Sequence, residues 1–436
     1  MTVPPSTTQP AAAEPTDERR GLVKLAILSL VAGASSGLVG ACFRQLLAAG
    51  DALRNDLIAW AHGYSVVGLI VVVSLAAAAT ATAAWLVRRF SPEASGSGIP
   101  HVEAVLHGKA TPAHYVLIPV KFVGGILAIG AGLALGREGP TVQMGASVSH
   151  AVSRLFRLSA DDGRILLAAG AGAGLATAFN APIAGSVFVL EELLRRFDTR
   201  ITIITLGASA AAIGVSRFLL GVQPDFPIAE LDFPALGSLG LFIVFGAMVG
   251  ALGIAYNRAI LVALDAADRL RVVPVELRAA VVGAAVGMLG WFAPQWVGGG
   301  DNITELALEG KIALGILPAL FALRFVLGAV SYAAGTPGGL FAPLLVLGAQ
   351  AGLFYGTLAA RWLPQLAGEP ASFAVTGMAA FFTATVRAPV TGIILVIELT
   401  ASDTQLVAML AGCFTAMFVP TLAGSRPIYD SLGERA

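Results

Sequence analysis

Apolar segments follow one another through this chain almost without pause, at about residues 22–48, 65–87, 115–135, 163–193, 202–220, 237–264, 278–293, 311–333, 339–362, 372–400 and 405–423. Several are close to the ~20 residues that cross a ~30 Å hydrocarbon layer, and others are too long or too short. Segment 163–193 contains Gly170, Gly172, Gly174 and Pro182, and reads as two shorter helices. A broken helix survives in a bilayer only where protein or a water-filled cavity satisfies its freed backbone groups. The interruptions therefore predict a polar pathway inside an all-α, polytopic membrane protein. At about 150 residues per domain, 436 residues would suggest three soluble domains. Only 12% of the residues are charged, about half the ~25% of a soluble protein, so no stretch can solvate such a domain.

The same composition removes other classes. Lys and Arg number 27 and so do Asp and Glu, which leaves no electrostatic case for nucleic acid. Cys42 and Cys413 lie in apolar runs, and His62, His101, His107, His114 and His150 show no helical pairing. No disulfide framework, metal site or cofactor is expected. Residues 1–20 lack an apolar core and read as a disordered polar tail rather than a signal peptide. Arg19, Arg20, Lys24, Arg88, Arg89, Arg195, Arg196, Arg200, Arg269 and Arg271 flank apolar segments, whereas 222–234 has three acidic residues and no basic one. Basic flanks mark the cytoplasmic side, which puts both termini in the cytoplasm and loop 222–234 outside.

Two halves share a pattern. GLATAFNAPIAGSVFVLEEL (174–193) aligns with FFTATVRAPVTGIILVIELT (381–400), so that Pro182, Gly185 and Glu191 fall on Pro389, Gly392 and Glu398. At a nearly constant offset, KFVGG (121–125) falls on RFVLG (324–328), and GREGPTVQMG (136–145) on GLFAPLLVLG (339–348). GSGIPHVEAVL (96–106) falls more loosely on GGGDNITELAL (298–308). The expected organisation is a first transmembrane repeat over 21–200, a second over 201–423, and a short C-terminal segment over 424–436. An odd number of spans in the first half favours inverted topology, in which a transported species sits at the repeat interface. Lys121 and Arg324 occupy matching positions, as do Glu103 and Glu305, which points to structural tasks.

Ile99-Pro100, Gly139-Pro140, Ala181-Pro182, Ala342-Pro343 and Ala388-Pro389 each read as a helix start, because proline suits the first turn, where its missing N–H has no partner to lose. A helix N-terminus offers free N–H groups and partial positive charge, an anion site that needs no Lys or Arg. At membrane depth a full cation would hold an anion too tightly, whereas amide dipoles let it enter and leave. Broken helices converging on one point thus predict a transported anion.

GSGIP (96–100), GREGPTVQMG (136–145), GGLFAP (338–343) and Tyr429 within SRPIYDSL resemble, in order and spacing, the signature segments of the CLC family of chloride channels and chloride/proton antiporters. The resemblance covers nearly the whole chain after residue 20, without the cytoplasmic CBS pair of many members. It implies two inverted repeats of tilted, broken helices, a homodimer, and a multi-pass protein of the bacterial inner membrane. It further implies that chloride meets the Ser97 hydroxyl, the Tyr429 phenol and backbone amides at Leu340 and Phe341, with Gly98 and Ile99 in the same loop. Amides around Arg137, Glu138 and Gly139 would form the outer region. By the same resemblance Glu138 is the gating glutamate and Glu192 the internal proton glutamate, while serine at position 97 goes with chloride preference.

The chemistry of Glu138 also follows without the family. A carboxylate at the entrance to an amide cradle is a tethered anion competing with the mobile one. Burial and a neighbouring anion favour its neutral form, amide dipoles its charged form. One proton and one anion then compete through a single side chain. The plain alternative is a Glu paired with Arg137 at a helix start. Glu192 sits beside Arg195 and Arg196 at a helix end, where a snorkelling ion pair is equally natural; unlike Glu191, it faces Leu399 rather than an acid in the repeat. Three functions compete: a chloride/proton antiporter, a passive voltage-dependent chloride channel, and, from GGGD (298–301) and Tyr429-Asp430, an intramembrane aspartyl protease.

Overall fold

The computed structural model describes residues 15–228 and 231–435. The first half contains α1 (Pro15–Ala61), α2 (Ser65–Phe90), α3 (Ile99–Leu106), α4 (Leu117–Gly130), α5 (Glu138–Leu155), α6 (Ala160–Phe179), α7 (Pro182–Phe188) with a following π-helical turn (Val189–Leu193), and α8 (Thr199–Leu220). The second contains α9 (Leu239–Arg269), α10 (Val275–Phe292), α11 (Asp301–Leu308), α12 (Leu317–Tyr332), α13 (Phe341–Trp362), α14 (Pro364–Ala367), α15 (Pro370–Val386), α16 (Pro389–Thr400), α17 (Leu406–Leu422) and α18 (Ile428–Gly433). Among the described residues there is no strand, only two isolated bridges. Five helical stretches are long and apolar enough to cross a membrane, and five shorter apolar helices accompany them.

Two boundaries differ from expectation, the first being the division expected between residues 200 and 201, which falls inside α8. Residues 15–20, assigned above to the disordered tail, belong to α1; residues 1–14 lie outside the described residues. Pro15 at the first helical position, followed by Asp17 and Glu18, is itself a helix-start pattern.

Each proline-marked start opens a helix: α3, α5, α7, α13 and α16 begin at or just before their Pro. The broken segments part where expected, at Asn180 (φ 52°) between α6 and α7 and at Arg387 (φ 75°) between α15 and α16. The two halves meet about a pseudo-two-fold axis. Gly136 and Gly339, equivalent in the repeat, form an antiparallel bridge, with the Gly136 N–H donating to Gly339 O at 2.9 Å and the Gly339 N–H to Gly136 O at 2.7 Å. A pair of equivalent residues facing each other antiparallel is what a two-fold axis through that point produces.

The buried cations obey the same symmetry. The Lys121 ammonium donates to Ala94 O (3.0 Å) and Gly96 O (2.7 Å) ahead of α3. The Arg324 guanidinium donates to Trp296, Gly298 and Gly299 carbonyls ahead of α11. Both fasten the loop before a half-helix, the shared structural task their repeat positions suggested.

Glu191 and Glu398 have a reciprocal role. Glu398 accepts the Ile183 and Ala184 N–H groups at 3.0 and 2.8 Å, capping α7, while Glu191 accepts those of Val390 and Thr391 at 3.0 and 2.7 Å, capping α16. Each acid lies toward the far end of its own segment and caps the start of the other, so α7 and α16 run antiparallel, as inverted repeats require. Losing such a cap costs about 1–2 kcal/mol. Glu398→Ala and Glu191→Ala are each expected to lower the thermal midpoint of the detergent-solubilised protein by similar amounts. A midpoint equal to wild type in either would contradict the capping role.

Candidate functional site

The starts of α3, α5 and α13 converge with α18 on one buried spot. Ser97, Ile99, Glu138, Leu340, Phe341 and Tyr429 are all fully buried there. Gly98 caps α3 with φ 80°, and a Cβ at that position would run into the Gln143 side chain. The left-handed backbone together with this contact explains glycine. Gly139 packs on Ser97, since a Cβ there would stand 2.7 Å from both Ser97 O and Oγ.

Glu138 is the first residue of α5, yet its carboxylate turns to the other half of the molecule. The Phe341 backbone N–H, first in α13, donates to Glu138 Oε1 at 2.6 Å. Oε2 is buried with no hydrogen-bond partner. A Cβ on Gly136 or Gly339 would collide with this carboxylate, so the glycine bridge on the pseudo-axis is also what makes room for it. The plain alternative of a pair with Arg137 does not hold: Arg137 bonds Asp225, Asp301 and the Ala178 carbonyl instead.

Opposite, the Tyr429 hydroxyl is buried and without a partner, its ring 6.1 Å from that of Phe341. The Ile99 N–H approaches Ser97 Oγ at 3.4 Å. Phe341 is boxed by Phe179, Phe188 and Phe382. The spot thus combines helix-start amides, a free phenol and a serine hydroxyl within apolar walls, a set of donors that suits a weakly hydrated monovalent anion and presents no full cation to trap it. A cavity of about 810 Å³, lined by Arg44, Asp51, Arg54, Arg137 and Asp301 among others, reaches Gly136 and Ala342 on either side of Glu138.

Glu192 lies apart from this cluster, in the π-helical turn after α7, a kind of irregularity frequent at functional sites. It is buried, with Oε1 unpartnered by hydrogen bond and 3.8 Å from the Arg195 guanidinium. Arg195 is also held by Asp430 and, at 3.4 Å, by Glu103. Glu103, expected to be structural like Glu305, therefore joins the acidic surroundings of Glu192. Asp430 is the neighbour of Tyr429, so α18 connects the two places.

Sequence reading missed Tyr332, whose hydroxyl accepts the Ser97 N–H at 3.4 Å, and the acid–base partners of Arg137. No local pattern marks them; Asp225 was noticed only as one charge in an acidic loop. Asp301 and Asp430, the aspartates of the protease reading, are held by different arginines and make no paired-carboxylate centre. Among the described residues no group of His, Cys, Asp and Glu could hold a metal.

A family model described as voltage gated chloride channel matches residues 79–421. The H(+)/Cl(-) exchange transporter ClcA of Vibrio cholerae is 39% identical over 419 residues, 94% of this chain and 88% of the relative. The protein of that name from Citrobacter koseri is 35% identical over 427 residues, 96% and 90% of the two chains. Among solved structures, a slow cyanobacterial Cl-/H+ antiporter superposes with a TM-score of 0.91 at 33% identity, covering 94% of this chain and 97% of its own. A CLC-type fluoride/proton antiporter superposes with a TM-score of 0.77 over 94% and 97%; at 21% identity it speaks for the fold alone.

Proposed function

Since the chain belongs to the voltage-gated chloride channel family, the CLC proteins, we propose that it exchanges chloride for protons across the membrane. The observation that carries this is the Glu138 carboxylate on the Phe341 amide. An acid seated on the amide that would otherwise hold the anion links protonation to anion entry.

In this reading chloride binds between Ser97, Tyr429 and the amides of Ile99, Leu340 and Phe341, with Gly98 shaping the loop. The amides of Arg137, Glu138 and Gly139 form the outer approach. Deprotonated Glu138 occupies the cradle; protonated, it has no charge to keep it there, and chloride replaces it. The cavity beside Arg137 opens to the outside, and Glu192 takes protons to and from the cytoplasm, where both termini lie. Ser97 supports chloride as the anion. The protein is an integral, multi-pass membrane protein; we place it in a bacterial inner membrane as a homodimer, transporting rather than transforming its substrates. Relatives named as exchangers favour coupling over a passive channel.

Purified protein in liposomes provides the test. An outward chloride gradient, with the membrane voltage held near zero by potassium and its ionophore, is expected to drive protons inward against their own gradient. A chloride current that reverses at the chloride potential whatever the pH difference would establish the channel and sink the exchanger.

A further inference from the structure

All three nitrogens of the Arg137 side chain are engaged. Nε donates to Ala178 O at 2.9 Å, Nη1 to Asp301 Oδ2 at 3.1 Å and Nη2 to Asp225 Oδ2 at 2.5 Å. The other oxygen of Asp225 accepts from Arg44 at 2.6 Å, and Arg44 also donates to Thr177 O at 3.0 Å. Thr177 and Ala178 are in the last turn of α6, where carbonyls lack intrahelical partners. Loop 221–228 is fixed over this knot: Asn180 donates to Gln223 O and the Phe226 N–H to Leu399 O, both at 2.9 Å. The Asp225 side chain is only 8% exposed, whereas that of Asp301 is 53% exposed.

We infer that Asp225 is a positioning residue for the gate: it holds the Arg137 guanidinium away from the adjacent Glu138 carboxylate and from the anion route. The inference deepens the exchanger reading and rests on it. Without the Asp225 charge, the half-buried Arg137 keeps one weak ion pair and turns to the nearest other anion, either deprotonated Glu138 or the arriving chloride. The charged and titratable groups around Glu138 are few. Arg44, Asp51 and Arg54 come from α1, Asp301 from α11, Tyr332 from α12 and Tyr429 from α18; α13 faces it with the Phe341 backbone amide. Asp225 is thus the least exposed negative charge on the Arg137 side, and its loss is not compensated by a neighbour.

The experiment compares coupled chloride/proton exchange in liposomes for wild type, Asp225→Asn, Asp225→Glu, Asp301→Asn and Glu276→Gln across external pH and chloride. Asp225→Asn is expected to move the pH of half-maximal exchange down by about one unit and to lower the apparent KM for chloride about threefold. Asp225→Glu restores both, Asp301→Asn gives a smaller displacement of the same sign, and Glu276→Gln, whose partner is Arg88, gives none. With Glu138→Gln already present, where chloride flux alone remains, Asp225→Asn adds no pH displacement to that flux but still lowers its KM. A wild-type pH profile in Asp225→Asn, or a displacement that persists with Glu138→Gln, overturns the inference. Should Asp225→Asn fail to fold, a wild-type profile in Asp301→Asn overturns it equally. Wild-type protein that conducts chloride without moving protons would instead overturn the exchanger reading.

Discussion

Glu138→Gln is expected to stop proton movement while chloride continues to cross. The carboxylate accepts the Phe341 N–H at 2.6 Å in a site without water-exposed surface, and a hydrogen bond to a charged group contributes about 1.5–3 kcal/mol. Gln is neutral and cannot carry a proton. Its amide must either turn its carbonyl oxygen to the same N–H, at the strength of a neutral bond, or turn its NH2 and set two donors against each other. Chloride therefore wins the cradle by roughly 10- to 100-fold more than against the native acid. Proton uptake driven by a chloride gradient should fall to the leak of protein-free vesicles, with chloride efflux at least as fast as wild type. Uphill proton transport in this variant would remove Glu138 from the proton route and with it the competition on which exchange depends.

Glu192→Gln should likewise lose proton coupling and keep chloride flux, for a different reason. Glu192 is remote from the amide cluster, so its neutralisation leaves the anion route intact. It is nevertheless buried, with one oxygen unpartnered and the Arg195 cation 3.8 Å away. Arg195 is already committed to Asp430 and Glu103, which makes Glu192 a poor candidate for a simple surface ion pair. Removing a surface pair would change stability by about 0–1 kcal/mol and leave transport untouched. Simultaneous recording of chloride and pH after ionophore addition separates the outcomes. Full coupling in Glu192→Gln would return this residue to an ordinary helix-end role.

The central spot was readable because its chemistry is local in the chain. A proline one or two residues into a helix declares the start, and glycine beside it declares uncovered backbone. Spacing placed Glu138 beside the Gly139-Pro140 helix start, and the family resemblance singled it out as the gating acid. Glu191 and Glu398 could be paired from the repeat, yet their task as caps on each other's helix could not. Reading residues 15–20 as tail failed because polarity was weighed above the Pro-Thr-Asp-Glu helix-start pattern.

Membrane residence, the broken helices, the internal repeat and an acid at the head of α5 were determined by the order of residues, in local patterns and their recurrence along the chain. Which partner Arg137 takes, why Glu138 ignores it, and what Tyr332 and Asp225 contribute were decided only when the two halves interlocked about their shared axis. Those contacts join α1, α6, α11 and a loop between the repeats, and a pairing across such distances is set by how buried polar groups find one another in three dimensions.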